Sequence, residues 1–341
     1  MRQRSQQVTN RVKFFLGIAI TSLCLVFVLH QVKFHELKSS LELFNWESIF
    51  LGISCLAFGY TIRIYRWTFT LRQMNSKVTF RQCATPFLGS IALNNLLPLR
   101  LGDGVRALIY PKKMKIGISV GVSSVALERM LDLAVLILFF SFGVLAVGSD
   151  GIPGYLFVAS FILIIVLILF MLFLIGIKQG RFSRLLRGVQ LKSPKLVARI
   201  IDFGLDSFKD IGRLLKFRSI VKITFLSVII WLFESGLFYF VLRGFGLPAT
   251  LSIAMLITSI VSISTMVPSL PGYLGPFEAA AFISITLLGG SSLTGASFAL
   301  IAHLALWLPT TVIGVFAIGT DYDFFKLAKR ETSTSKMETQ K

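Results

Sequence analysis

Residues 153–177 run without one charged side chain. As a helix rising 1.5 Å per residue, this stretch is roughly 37 Å long, more than the ~30 Å hydrocarbon core of a bilayer. A water-soluble domain has no place for such a segment, so the chain must fold with lipid as part of its solvent. The same criterion assigns full spans at about 14–32, 46–71, 116–147, 153–177, 219–243 and 297–319. The whole chain is 55% hydrophobic, with mean hydropathy +0.78. The expected fold class is therefore all-α: a polytopic integral membrane helical bundle. One domain is expected over 1–320, followed by a disordered cytoplasmic tail, 321–341.

A net charge of +19 could point to nucleic acid, so its placement decides. Residues 1–13 carry four basic groups and no acid, 72–81 carry three, and 112–115 carry three. Residues 178–218 carry eleven basic and three acidic groups. Basic excess confined to alternate connections is the positive-inside pattern. It places both termini in the cytoplasm of an inner (plasma) membrane and makes anionic inner-leaflet lipid, not nucleic acid, the expected partner of the basic segments. The connections 33–45 and 148–154 are poor in charge and are read as outer. Within 178–218, Phe182, Leu185, Leu186 and Val189 share one helical face. After Pro194, Val197, Ile201, Phe208, Ile211 and Leu215 do so again, which predicts interfacial helices. Cys24, Cys55 and Cys83 have no pairing spacing and are read as reduced packing residues. The first apolar stretch lacks a small-residue cleavage site and is read as an uncleaved helix.

Two regions break the pattern. "LNNLLPLRLGDGVRALIY", 93–110, is interrupted by Pro98 and Gly102 and flanked on both sides by basic segments. Both ends on one side imply a re-entrant hairpin over about 84–109. Residues 251–289 have uncharged flanks and contain "VPSLPGYLGPFEAA", broken at Pro268, Pro271, Gly272 and Gly275. This predicts either a hairpin from the opposite face or two kinked spans. Pro98-x-x-x-Gly102 matches Pro268-x-x-x-Gly272, and a first-turn acid follows each, Asp103 and Glu278. Hairpins of opposite entry suggest an inverted repeat, with backbone freed only where protein or a watery cavity satisfies it.

The same regions hold the candidate site. Asp103 is placed to cap a helix starting near Gly104, so backbone N–H groups, Arg100 and Arg106 would converge. A helix N-terminus with two guanidiniums suits a phosphate. The competing reading has both arginines snorkelling or paired with carboxylates. Glu128 lies twelve residues from Ile116, roughly 18 Å deep, and shares a face with Asp132. Charges at that depth are costly and face a bundle interior or cavity. Glu128, Arg129 and Asp132 therefore form either an ion-pair network, with Glu128 near Arg100 or Arg106, or a headgroup or proton site. Glu234 has no basic residue within one turn and is a candidate proton carrier. Glu278 suits the first turn of a half-helix. His303 is read as an interhelical hydrogen-bonding residue, and Arg63 and Arg66 as snorkelling. No ATP-binding loop, G-x-S-x-G or H-E-x-x-H occurs. No catalytic residue, metal site or cofactor is expected, and a membrane-embedded transferase is the weakest alternative.

"NNLLPLRLGDGVRALIY", "VSSVALERMLDLAVL" and "PSLPGYLGPFEAA", in this order, resemble the lysylphosphatidylglycerol synthase transmembrane-region family, also called flippase-like or UPF0104. In the third motif Tyr273 stands where a second glycine is expected, and Pro276 follows. The resemblance implies a lipid-translocating module without the soluble aminoacyltransferase domain. Asn95, Pro98, Arg100, Gly102, Arg106, Glu128, Arg129 and Asp132 match the family pattern. The implied lipid is anionic: a membrane phospholipid, aminoacylated or not, or a polyprenyl-linked lipid. Asn95, Arg100, Gly102 and Arg106 would hold it. The alternative is a non-transporting accessory subunit beside an envelope-biosynthesis enzyme.

Overall fold

The computed structural model describes residues 19–28, 30, 34–97, 100–148, 153–178, 195–214 and 216–320. Pro98, the 179–194 part of the basic segment and the tail 321–341 lie outside them. The described residues form helices and connections, without a strand. In chain order the helices are α1 (Ala19–Val28), α2 (Phe34–Glu42), α3 (Glu47–Arg72), α4 (Phe80–Leu96), α5 (Leu101–Leu108), α6 (Tyr110–Lys113) and α7 (Ile118–Val147). Then come α8 (Tyr155–Lys178), α9 (Lys195–Leu214), α10 (Phe217–Gly244), α11 (Leu251–Ser264), α12 (Pro276–Leu287) and α13 (Ser292–Gly319). A 3₁₀ turn, Pro271–Tyr273, separates α11 from α12. Among the described residues, four helices, α3, α7, α10 and α13, are long and apolar enough to cross a membrane, at 26, 30, 28 and 28 residues, and α8 covers the expected span 153–177 with 24 residues.

Local chemistry sets the helix starts. Thr79 and Gln82 form a reciprocal capping box at α4. Thr250 caps α11 through the Ile253 N–H, and Ser291 caps α13 through the Thr294 N–H. The segment read as a plain outer connection, 33–45, instead contains α2. Its Phe44 end packs in the main core with Leu56, Phe238 and Phe298. The amphipathic helix expected after Pro194 is α9. Its Ile211 is buried against Leu127, Leu131 and Ile223, and Asp210 accepts a hydrogen bond from Ser119 Oγ at 2.8 Å.

Both broken regions are hairpins. Asn75 Nδ2 donates to the Met114 carbonyl at 3.3 Å, so the two ends of the α4–α5 hairpin meet on one face of the bundle. The ends of α11–α12 lie on the opposite face. There Leu247, Ala249 and Leu288 pack on the core beside Phe44, and the Asn45 N–H donates to the Gly244 carbonyl at 2.9 Å.

The helix contacts exchange under a two-fold swap. α3 pairs with its own counterpart α10, antiparallel, from Cys55 beside Gly236 to Gln73 beside Ser219. α4 packs on α13 as α11 packs on α7, and α5 packs on α7 as α12 packs on α13. Glycines at equivalent places permit two of these contacts. A Cβ on Gly143 would lie 3.0 Å from the Ser252 carbonyl, and one on Gly314 would lie 2.4 Å from the Leu88 carbonyl. Small residues let backbones approach where lipid supplies no hydrophobic drive between helices. The inverted repeat is thus a property of the packing, and it brings both hairpin tips to the middle of the bundle.

Candidate functional site

Helical spacing builds the site wall. Arg63 and Arg66 on α3 are one turn apart, as are Glu128 and Asp132 on α7, so each pair shares a face. The faces meet. Arg66 Nη1 lies 2.6 Å from Asp132 Oδ1 and 2.5 Å from Ser227 Oγ, and Arg66 Nη2 lies 3.0 Å from Glu128 Oε1. Arg63 pairs with Glu234 of α10 and lies 3.8 Å from Asp132. Trp231 donates to Asp132 at 3.2 Å and places its ring under the Arg63 guanidinium. Arg106 of α5 reaches Glu128 at 3.2 Å between the faces of Phe87 and Trp67, and it is fully buried. Arg129 donates to Asp103 at 3.0 Å. Four arginines are thus matched by four carboxylates, the condition for keeping charge at membrane depth.

Several expectations are corrected here. Arg63 and Arg66 do not snorkel but carry the centre of the network. Glu234 is no lone proton carrier, because Arg63 reaches it from the facing helix. Arg106, read as a phosphate ligand beside Arg100, is fully buried and paired with Glu128 at 3.2 Å and with Asp103 at 3.8 Å. Asp103 is not the cap of α5. Helix α5 starts two residues earlier, and Asp103 sits in its first turn. Asn94 Oδ1 accepts the Asp103 N–H at 3.1 Å, and Asn94 Nδ2 donates to the Asp103 carboxylate at 3.1 Å. Gly102 belongs to the helix rather than to the break. A Cβ there would lie 1.9 Å from the Ser90 carbonyl, so glycine is what lets α5 lie against α4. Asn95 spends its amide on Thr310 and Thr311 of α13, at 3.1 and 2.8 Å.

Arg100 is different. It occupies the break itself, with φ 52° and ψ 43°, a left-handed conformation that costs a non-glycine residue roughly 1–2 kcal/mol. Its Nη2 donates to the Thr265 carbonyl and hydroxyl at 3.0 Å, which holds the strained turn. No carboxylate lies within ion-pair reach of it among the described residues. Tyr273, at the other hairpin tip, takes φ 61°, which accounts for the glycine expected there. The Arg100 guanidinium stacks on its ring, 5.3 Å from the centroid. The second hairpin also breaks at Gly272 (φ 79°) and Gly275 (φ 94°), with Pro268 and Pro271 in the connection and Glu278 accepting the Gly275 N–H at 2.7 Å.

A cavity of about 120 Å³ lies between the network and the two tips, lined by Arg100, Arg129, Asp132, Glu234, Tyr273 and Trp307 among others. A second hollow of about 190 Å³ is lined by Pro268 and Leu270 among others. Arg100, Asn94, Thr265 and Tyr273 line both. Among the described residues, the arrangement offers one cation without a carboxylate partner, facing a chamber lined from both halves of the repeat. Sequence reasoning missed Thr265, Tyr273 and the two α3 arginines. The available signal was spacing: Arg63 and Glu234 stand 171 positions apart, as Gly143 and Gly314 do.

The sequence is similar to other membrane proteins over most of their length. The chain is 30% identical to a UPF0104 membrane protein of Methanocaldococcus jannaschii over 214 residues, 62% of this chain and 86% of that one. Two UPF0104 membrane proteins of Methanothermobacter thermautotrophicus are 24% and 22% identical. These matches cover 74% and 90% of this chain, and 79% and 94% of theirs. The model of the lysylphosphatidylglycerol synthase transmembrane region matches residues 14–314. By that match the chain belongs to the lysylphosphatidylglycerol synthase transmembrane-region family.

Proposed function

We propose that the protein binds an anionic lipid by its headgroup at Arg100 and passes it between leaflets. The observation that carries this reading is the isolation of Arg100. Among the described residues it is the cation of the site without a carboxylate partner, and it lines both hollows. A guanidinium offers a phosphate two parallel donors, and the Trp307 indole N–H, without a hydrogen-bond partner, faces the same cavity. The paired arginines behind it hold the wall and do not touch the lipid. Hairpins entering from opposite faces and meeting at one midplane site suit alternating access, in which each half of the repeat opens in turn. We orient the α4–α5 hairpin toward the cytoplasm of the inner membrane from its basic flanks. No chemistry is assigned to the protein beyond translocation.

The test is leaflet exchange in proteoliposomes containing fluorescently labelled phosphatidylglycerol or phosphatidylcholine. The wild type should exchange the former faster, and Arg100→Gln should lose that preference while still folding and inserting. Binding without exchange would point to an accessory subunit. Equal exchange by Arg100→Gln would remove Arg100 from the site.

A further inference from the structure

The two halves of the repeat hold their first-turn acids in the same way. Asp103, third residue of α5, is held by Arg129 of α7, and Glu278, third residue of α12, is held by His303 of α13. A permanently charged arginine does this work in one half and a titratable ring in the other.

The His303 geometry counts protons. Its Nδ1 lies 2.5 Å from Glu278 Oε1, and its Nε2 lies 2.8 Å from the Gly272 carbonyl oxygen. A carbonyl can only accept. Glu278 takes the Gly275 N–H on Oε2, and its Oε1 accepts from the ring as long as the acid is ionised. A neutral imidazole has one N–H and would leave its other nitrogen lone pair against an oxygen lone pair. Both contacts are hydrogen bonds only when the pair holds two protons, one on Nε2 and one between Nδ1 and Glu278 Oε1. Two further features favour the cationic ring. Phe277 stacks on it, with centroids 4.3 Å apart at 21°. Glu278 sits in the first turn of α12, where the helix dipole favours a carboxylate.

Resting on the lipid reading above, we infer that the Glu278–His303 pair is a proton site whose occupancy latches the second hairpin tip over Arg100, coupling release of one proton to release of a singly charged headgroup. The proton enters and leaves through the cavity, which His303 lines. With the proton bound, Arg100 is the excess charge of the site, matching one phosphodiester. Without it, the ring can hold either Glu278 or the Gly272 carbonyl but not both. The tip carrying Tyr273 is then freed from Arg100, and the site loses one positive charge.

The other charged groups around the ring are already engaged. On α3, Arg63 pairs with Glu234 of α10, and Tyr60 lies beside that pair. On α7, Asp132 is held by Arg66 and Arg129 by Asp103. From α5 and the 3₁₀ turn come Arg100 and Tyr273, stacked together. On α1, Cys24 lies against Gly275, its Cβ 3.1 Å from a Cβ placed there.

The test uses the full chain in nanodiscs of phosphatidylcholine and phosphatidylglycerol, with His30 and His35 changed to Gln, so that ¹⁵N-histidine reports His303 alone. In 5-fluorotryptophan protein, ¹⁹F resonances report Trp307, whose indole nitrogen lies 3.0 Å from a Cβ placed on Gly272. The expected result is two protonated ring nitrogens at low pH, one at high pH, and a Trp307 resonance that moves with the same midpoint. In Glu278→Gln at pH 7 the doubly protonated signature should be lost. A single neutral tautomer throughout pH 5.5–9, or a titration that leaves Trp307 unmoved, overturns the proposal. Exchange of labelled phosphatidylglycerol should vary at least about tenfold across that range in the wild type and stay flat in His303→Gln. The same pH profile in both overturns the coupling. An intact titration with no Arg100-dependent exchange would instead remove the lipid reading and leave the proton site standing.

Discussion

Removing Glu128 should cost more than removing its partner Arg106, and the structure gives the reason. Glu128 serves two arginines, Arg66 at 3.0 Å and Arg106 at 3.2 Å. In Glu128→Gln, Arg66 keeps Asp132 and Ser227, but fully buried Arg106 keeps only Asp103 at 3.8 Å. Stranding one buried charge costs about 3–5 kcal/mol, and the distant Asp103 holds the expected loss near about 3 kcal/mol. In Arg106→Gln, Glu128 retains Arg66, so the expected cost is about 1–2 kcal/mol. The double variant leaves no stranded charge at this place and should recover about 1–3 kcal/mol relative to the sum of the singles. The assay is reversible unfolding in mixed micelles with increasing dodecyl sulfate, followed by far-ultraviolet circular dichroism. A larger loss in Arg106→Gln than in Glu128→Gln, or a coupling below about 0.5 kcal/mol, would refute the pairing. Lost lipid binding at unchanged stability in Arg106→Gln would make Arg106 a ligand group after all.

Other predictions are shorter. Gly102→Ala should destabilise by about 1–3 kcal/mol, because its Cβ would meet the Ser90 carbonyl; a neutral result in the same unfolding assay contradicts the α4–α5 packing. Glu234→Gln should cost about 2–3 kcal/mol, since Arg63 is left with Asp132 at 3.8 Å, and Arg63→Gln beside it should restore part of that loss. Single cysteines at positions 75 and 114 should label from the same side of right-side-out vesicles. Labelling from opposite sides would break the first hairpin. Tyr273→Gly should keep the fold, because the residue already takes φ 61°, yet weaken lipid binding by removing the ring under Arg100. Equal affinity in a phosphatidylglycerol binding assay would show that the ring has no part.

Much of the architecture was legible because lipid imposes simple rules. Uninterrupted apolar length marked the spans, and basic flanks on both sides of 84–109 marked a hairpin before any coordinate. The P-x-x-x-G recurrence pointed to the repeat. What escaped depended on contacts between distant segments. Arg63 and Arg66 lie in the half of α3 that faces a basic connection, so snorkelling was the local reading; only the meeting of α3 with α7 and α10 turns them inward. Glu234 looked unpaired for the same reason, since its partner stands 171 positions away. The start of α5 was misplaced because Asp103 imitates a cap, whereas Gly102 fits inside the helix through its approach to Ser90. The proximity of Glu128 to a hairpin arginine was foreseeable from depth alone, and Arg106 supplies it.

Native mass spectrometry of protein purified in mild detergent tests the central claim most directly, by weighing the lipids that stay bound to the wild type, Arg100→Lys and Arg100→Gln. The account predicts a retained singly anionic lipid on the wild type, weakened on Arg100→Lys because the fork is lost, and absent from Arg100→Gln, which still folds and inserts. The same lipid retained equally on all three proteins would contradict it.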